Sequence, residues 1–169
     1  MPIIERAGRP TLPANENNSF IVRSAAASDL WRVCLIECAS FGWGRLLFGL
    51  WPRTVSRDTT TLVAAVNAKV VGYLIAYPRK LYAVTAIYVA GIGVMPKLRR
   101  NGFGTQLMKA ILADETSVWL HVRAGNTAAI EMYQHLNMHE RSRLKRFYTN
   151  GEDALIFVTT DLLRTTQDK

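Results

Sequence analysis

Apolar and polar positions along the 169-residue chain switch between two periods, and the switches mark out the elements. SFIVR at 19–23 alternates at every second residue, as a strand with one buried face does. After Ser28 or Asp29, LWRVCLIECASF repeats its apolar positions at helical spacing, and a second, shorter helical piece, WGRLLFGLW, stops at Pro52. TTTLVAAV (59–66) and VVGYLIAY (70–77), separated by Asn67, Ala68 and Lys69, predict a β-hairpin. YAVTAIYVAGIGV (82–94) predicts a longer strand whose Gly91 and Gly93 mark a bulge or a close backbone approach. The spacing predicts a helix over about 104–114, with Leu107, Met108, Ile111 and Leu112 on one stripe. SVWLHVR (117–123) is the next strand, and Asn126 opens the helix TAAIEMYQHL. Strands around 138–146 and 154–158 follow, joined through Thr149, Asn150 and Gly151.

The predicted order is β-α-α-β-β-β-α-β-α-β-β, an α/β single domain with a central sheet flanked by helices. Two strands, near 84–94 and 117–122, each lead straight into a helix. In open sheets ligands collect at the ends of such strands.

Composition narrows this picture. An apolar share of 49% supports one well-buried core in a chain of this length. No apolar run approaches the roughly 20 residues of a membrane helix. Residues 1–18 read as a loose leader rich in Pro and Asn, without the pattern of a signal or transit peptide, so a soluble cytoplasmic protein with no membrane partner is expected. The domain is placed at 19–162 and a short tail at 163–169. Cys34 and Cys38 lie in an apolar helical context and predict buried, inert thiols; no metal site is expected. A formal net charge of +8 predicts attraction to anions, whether a phosphorylated cofactor, an acidic peptide or nucleic acid.

The stretch VMPKLRRNGFGTQLMKAIL (94–112) carries the most specific chemistry. A strand ends, Lys97, Arg99 and Arg100 follow, and Gly102-Phe103-Gly104 leads into a helix. A helix N-terminus offers unpaired N–H groups and partial positive charge, while glycine lets a phosphate approach the backbone. A bare GxG reads first as a tight turn that needs glycine for its dihedral angles alone; the preceding arginines shift the reading toward the anion. No Lys-Ser or Lys-Thr follows, so the loop is not a P-loop, and a third glycine is missing for a dinucleotide fingerprint.

Arg99-Arg100-Asn101-Gly102-Phe103-Gly104 resembles the Arg/Gln-x-x-Gly-x-Gly/Ala signature of the GNAT superfamily of acetyl-CoA-dependent N-acetyltransferases. IGVMPKLRRNGFGTQLM, VWLHVRAGNTAAIEMYQHLNM and FYTNGEDALIFV are similar, in that order, to the RimI and archaeal N-terminal acetyltransferase branch, and ASFGWGRLLF (39–48) is similar to its first helix-loop-helix. The resemblance implies a single-domain GNAT fold with a mixed, mostly antiparallel sheet. It also implies acetyl-CoA as co-substrate and a primary amine as acceptor, above all a protein or peptide α-amino group, with a ribosomal protein among the candidates. Nucleic acid is not expected as direct substrate, and the protein is expected to be a monomer or homodimer.

Carried onto this chain, the resemblance implies that Ile92, Gly93 and Val94 offer backbone groups to the pantetheine arm and that Arg99, Arg100, Asn101, Gly102, Phe103, Gly104 and Thr105 hold the pyrophosphate. Asn126 would add a cofactor contact and Val94 N–H the oxyanion donor. Tyr133 would be the acid for the leaving sulfur; it also falls on a stripe with Ile130 and Leu136, which core packing explains. Asn126 equally reads as a helix N-cap. Where the branch carries a glutamate this chain has His121, readable as a general base with an ordinary pKa of about 6.5 or as a strand histidine with a satisfied hydrogen bond. Phe41, Gly42, Trp43 and Tyr148 would grip the acceptor, although packing also accounts for the aromatic residues, and Phe147 stands where the branch usually has a second tyrosine.

Two other functions stay open at this level. One is an acetyltransferase for a small amine such as a polyamine, amino acid or antibiotic. The other is a catalytically silent acyl-CoA-binding module, with RSRLKR (141–146) as a basic contact face or merely a solvated strand.

Overall fold

The computed structural model describes residues 20–41 and 58–165. Among them seven strands form one sheet: β1 (Phe20–Ser24), β2 (Thr60–Val66), β3 (Lys69–Leu81), β4 (Val84–Val94), β5 (Val118–Arg123), β6 (Met138–Leu144) and β7 (Ala154–Thr159). Their spatial order is β1-β2-β3-β4-β5-β7-β6. Neighbours are antiparallel except β4 and β5, which run parallel. The helices are α1 (Leu30–Phe41), α2 (Phe103–Asp114), α3 (Thr127–His135) and α4 (Thr160–Thr165). The mixed, mostly antiparallel sheet and its order agree with the sequence reading from β2 to β7. The second helical piece expected at WGRLLFGLW lies outside the described residues. A short C-terminal helix, α4, was not anticipated; its single turn and a half is held by Leu162, buried against Trp119 and Val158, and so few residues leave no legible period.

Local rules explain most junctions. Asn67 and Ala68 both take positive φ, 47° and 62°, as the two-residue turn between antiparallel strands demands. Asp29 ends a 3₁₀ turn ahead of α1, accepts the Ala26 N–H at 2.8 Å and is paired with Arg23. β3 runs beyond the expected Tyr77, through Pro78 to Leu81. Proline fits because β2 has already ended, at Thr60 opposite Ala76, so β3 has one neighbour there. The turn to β4 uses Tyr82 at φ 52°, an exposed residue whose hydroxyl lies 3.5 Å from Ser142 Oγ on β6. Asn137, at φ 56°, closes α3.

The main core lies between the sheet and the helices α2 and α3. Leu107, Met108 and Ile111 of α2 are buried on Leu74, Val89, Leu120 and Phe157; of the predicted stripe, Leu112 is only half-buried. On the opposite face Val33 and Ile36 of α1 pack on Tyr73 and Ile75. Cys34 and Cys38 are half-buried thiols rather than fully buried ones, because they sit at the margin of that apolar face. Burial pushes the Cys34 thiol up, which suits an inert role.

β4 carries the decisive irregularity. Ile75 faces Gly91 but Ala76 faces Val89, so Ala90 is an extra residue, a bulge one position ahead of the expected glycines. Pairing with β5 covers only Ile87, Val89 and the residue between them. Beyond Val89 the two strands diverge. Gly93 is needed for a different reason: a Cβ there would stand 2.6 Å from Tyr73 Cε1. Gly93→Ala is therefore expected to destabilise the fold by about 1–3 kcal/mol, the usual cost of overpacking, measured as a lower denaturation midpoint at unchanged slope.

Candidate active site

The divergence of β4 from β5 opens a cavity of about 930 Å³ between them. It is lined at one end by Ile92, Gly93 and Val94 with the loop before α2, and at the other by Tyr77, Arg79, Tyr88, Phe147 and Tyr148. Met95 N–H bonds Val71 O, toward β3. Strand alternation therefore turns the N–H and C=O of Val94 and Ile92 the other way, into the opening. Arg99 Nε meets Val94 O on that side at 3.2 Å, and Arg99 Nη2 reaches Ser40 Oγ at 3.2 Å, tying the loop to the end of α1.

The loop is shaped for an anion. Arg100 (φ 68°) and Gly102 (φ 80°) take left-handed conformations that turn successive N–H groups to one side. Gly102 caps α2, and a Cβ placed on it would meet nothing within 4 Å, so its backbone faces open space. Gly104 differs. A Cβ there would touch Met132 Sδ at 3.5 Å and Val94 at 3.9 Å, so this glycine serves close packing of α2. Phe103 sends its ring into the core, edge-on to Phe20 at 4.7 Å, and leaves its backbone to the cavity. Thr105 lines the cavity as expected; Asn101 does not, because its amide turns back to Leu98 O and Arg99 O. Asn126 is the N-cap of α3, accepting from Ala129 N–H at 3.3 Å, and lines the cavity as well.

Tyr133, on α3, lies where core and cavity meet. Its ring is 3% exposed, packs on Phe157 at 5.8 Å and still borders the cavity. Burial, with a smaller contribution from Tyr148, pushes its pKa upward, so the phenol keeps its proton at every physiological pH.

His121, on β5, lies at the aromatic end. Its ring is stacked on Phe147 (4.7 Å, 20°) and edge-on to Trp119 and Tyr88, and its Nδ1 is 3.0 Å from Tyr88 Oη. Burial first, and the Arg79 cation second, lower its pKa to about 4. The imidazole is thus neutral where an unperturbed one would be titrating. Phe147, expected only as a missing tyrosine, is the lid on this ring. Tyr148 lines the cavity with its ring on the Arg123 guanidinium at 3.9 Å. Arg123 is itself bound to Glu152, which accepts Gly125 N–H. Tyr148 N–H bonds Glu152 O, so the loop that carries both aromatic rings is fixed at its base. α1 ends at Phe41; Gly42 and Trp43 lie outside the described residues. Tyr77, Arg79, Tyr88 and Ser40 were missed in the sequence. Tyr77 and Arg79 stood in a strand with no motif, and only the hairpin and the splayed sheet bring them here.

The acetyltransferase (GNAT) family model matches residues 25–138. The N-alpha-acetyltransferase of Saccharolobus solfataricus is 32% identical over 158 residues, covering 84% of this chain and 93% of that protein. The crystal structure of the ribosomal-protein-S18-alanine N-acetyltransferase from Escherichia coli superposes with a TM-score of 0.71 at 24% identity, over 83% of this chain and 93% of that one. Arabidopsis thaliana NAA60 in complex with acetyl-CoA gives 0.70 at 21% identity, over 83% and 98%. The chain belongs to the GNAT acetyltransferase family. It is an acetyl-CoA-dependent N-acetyltransferase that moves an acetyl group to an amine. The cradle fits the co-substrate: open backbone at Gly102, the α2 N-terminus, two arginines and the outward-turned groups of Ile92 and Val94 suit a pyrophosphate followed by an amide-bearing arm.

Two outcomes follow from these environments. Acetyl-CoA at about 100 times its Kd is expected to stabilise the protein by about 2.7 kcal/mol. Gly102→Val should abolish that thermal shift, since a β-branched residue is strained at φ 80°, whereas Gly104→Ala should retain it. For His121, the unfolded state binds the extra proton between about pH 6.5 and 4 while the folded state does not. Stability should therefore be fully present above pH 6.5 and fall as pH drops toward 4. His121→Phe should flatten that part of the pH–stability curve.

Proposed function

We propose that the acceptor amine is the N-terminal α-amino group of a protein or peptide. The observation that carries this reading is the aromatic end of the cavity, where Tyr77, Tyr88, Phe147 and Tyr148 line one passage continuous with the cofactor cradle. Such walls suit an extended main chain, with the amine entering first toward Val94. The name of the archaeal relative, N-alpha-acetyltransferase, supports the same class, and a ribosomal protein remains among the acceptors to test.

Each residue then has a defined task. Arg99, Arg100 and the α2 N-terminus bind the phosphates, and the outward backbone of Ile92 orients the arm beside β4; Gly93, which the resemblance also implied, turns its own N–H and C=O to β3. Val94 N–H donates to the oxygen on which negative charge develops. Tyr133 donates a hydrogen bond to the leaving sulfur; with its pKa pushed above that of a thiol, the bond itself stabilises the thiolate, and full proton transfer is not required. His121, with Tyr88, receives the proton of the amine in passing. An imidazole whose pKa is about 4 cannot retain a proton against an α-amino group of about 7.7–8.0, so it relays the proton toward water. The sequence left His121 readable as a base with an ordinary pKa or as a strand histidine with a satisfied hydrogen bond; its lowered pKa supports a relay over a base that holds the proton.

Thiol release from acetyl-CoA tests this reading, with free peptides, the same peptides blocked at the α-amine, a polyamine panel and RNA controls. Free peptides should be acetylated and blocked ones inert; preferential turnover of polyamines would replace the reading with a small-amine enzyme. Tyr133→Phe should bind acetyl-CoA normally and lose about 10²-fold in kcat. The acidic limb of kcat/KM should follow the pKa of the acceptor amine when that is varied, and not sit in the imidazole range.

A further inference from the structure

Arg79 has no task in acetyl transfer, yet it stands where the acceptor would enter. It is exposed at the rim of the cavity, on the part of β3 that has left β2 behind. Its guanidinium lies 4.9 Å from the centroid of the Tyr88 ring and 5.6 Å from that of Trp119, so two aromatic faces hold it in place. Among the described residues no carboxylate is paired with it. The carboxylates of the loop after Phe147 are already engaged: Glu152 by Arg123, Asp153 by Arg143 and by the Arg146 N–H. Lys80 beside it, and Lys145 and Arg146 ahead of Phe147, add exposed cations, likewise without a paired carboxylate among the described residues. The turn after Lys80 is brought against β6 by the contact of Tyr82 with Ser142.

A cation fixed by rings, with its hydrogen-bonding edge uncommitted, is pre-organised for a carboxylate. We propose that Arg79 selects acceptors carrying an acidic side chain within the few residues that follow the acceptor amine. This rests on the peptide reading of the acceptor site and names the class of peptide. The electrostatics reinforce the selection, because the same Arg79 charge depresses His121. A substrate carboxylate against Arg79 offsets that charge and makes the imidazole a better proton acceptor, so acidic peptides gain in turnover as well as in binding.

The test uses the full chain at pH 8, where His121 is neutral, and peptides of one sequence in which Glu, Gln or Lys is placed in turn at positions two to five. Within each enzyme the ratio of kcat/KM for Glu over Lys is read at the best position. Wild type is expected to favour Glu about tenfold at low salt, and the preference should shrink as ionic strength rises. Arg79→Lys should keep the preference, Arg79→Ala should bring the ratio near one, and Arg79→Glu should invert it. Ratios taken within one variant are insensitive to a general loss of activity, and a retained acetyl-CoA thermal shift shows that each variant is folded. Peptides acetylated at equal rates by the wild type, or a Glu preference unchanged in Arg79→Ala, would overturn the assignment of Arg79 while leaving the peptide acceptor intact. A wild-type enzyme that acetylates none of the peptides, yet acetylates a small amine, overturns both.

Discussion

Everything functional in this molecule depends on two parallel strands that stop pairing. β4 and β5 share a ladder only as far as Val89 and Leu120, and the bulge at Ala90 turns β4 away. A sheet normally satisfies its backbone groups internally, and leaving them open is costly unless something else receives them. Here the unclaimed side of Ile92 and Val94 faces a cavity, and Arg99 reaches the Val94 carbonyl on that side. The seam is therefore a binding site because it is an incomplete sheet.

Divergence also decides where the helices begin. β4 leads through the arginine loop to the N-terminus of α2, and β5 leads through Asn126 to that of α3, so both partially positive ends border one opening. The cofactor end is cationic and built of backbone. The other end is aromatic, and its one imidazole is held neutral by burial and by Arg79. Tyr133 lies between core and cavity, anchored on Phe157 while its hydroxyl keeps its proton.

The aromatic end shows how a substituted residue is absorbed. Phe147 lacks the hydroxyl that the family resemblance led one to expect, and its ring covers His121 instead. That cover is part of the burial that lowers the His121 pKa. The loop that carries Phe147 is pinned through Tyr148, Arg123 and Glu152.

The sequence by itself determined the succession of elements from β2 to β7, the α/β class, and the arginine- and glycine-bearing loop ahead of α2, because these depend on short-range rules. Period two or 3.6, a two-residue turn at Asn67, and arginines ahead of Gly102 are all properties of neighbours in the chain. It also supplied Tyr133, His121 and Asn126 as candidates through the family pattern, each with a bland alternative beside it. In the tertiary structure Tyr133 and Asn126 take positions compatible with both readings. The bulge at Ala90 rather than at Gly91, the separate duties of Gly102 and Gly104, and the low pKa of His121 all depend on what lies across the sheet. So does the presence of Arg79, Tyr77 and Tyr88 at the aromatic end of the cavity, contributed by a hairpin whose residues carry no motif. A pKa is set by burial and by charges distant in sequence, and a cavity by where two strands part, and neither leaves a local trace in the order of residues.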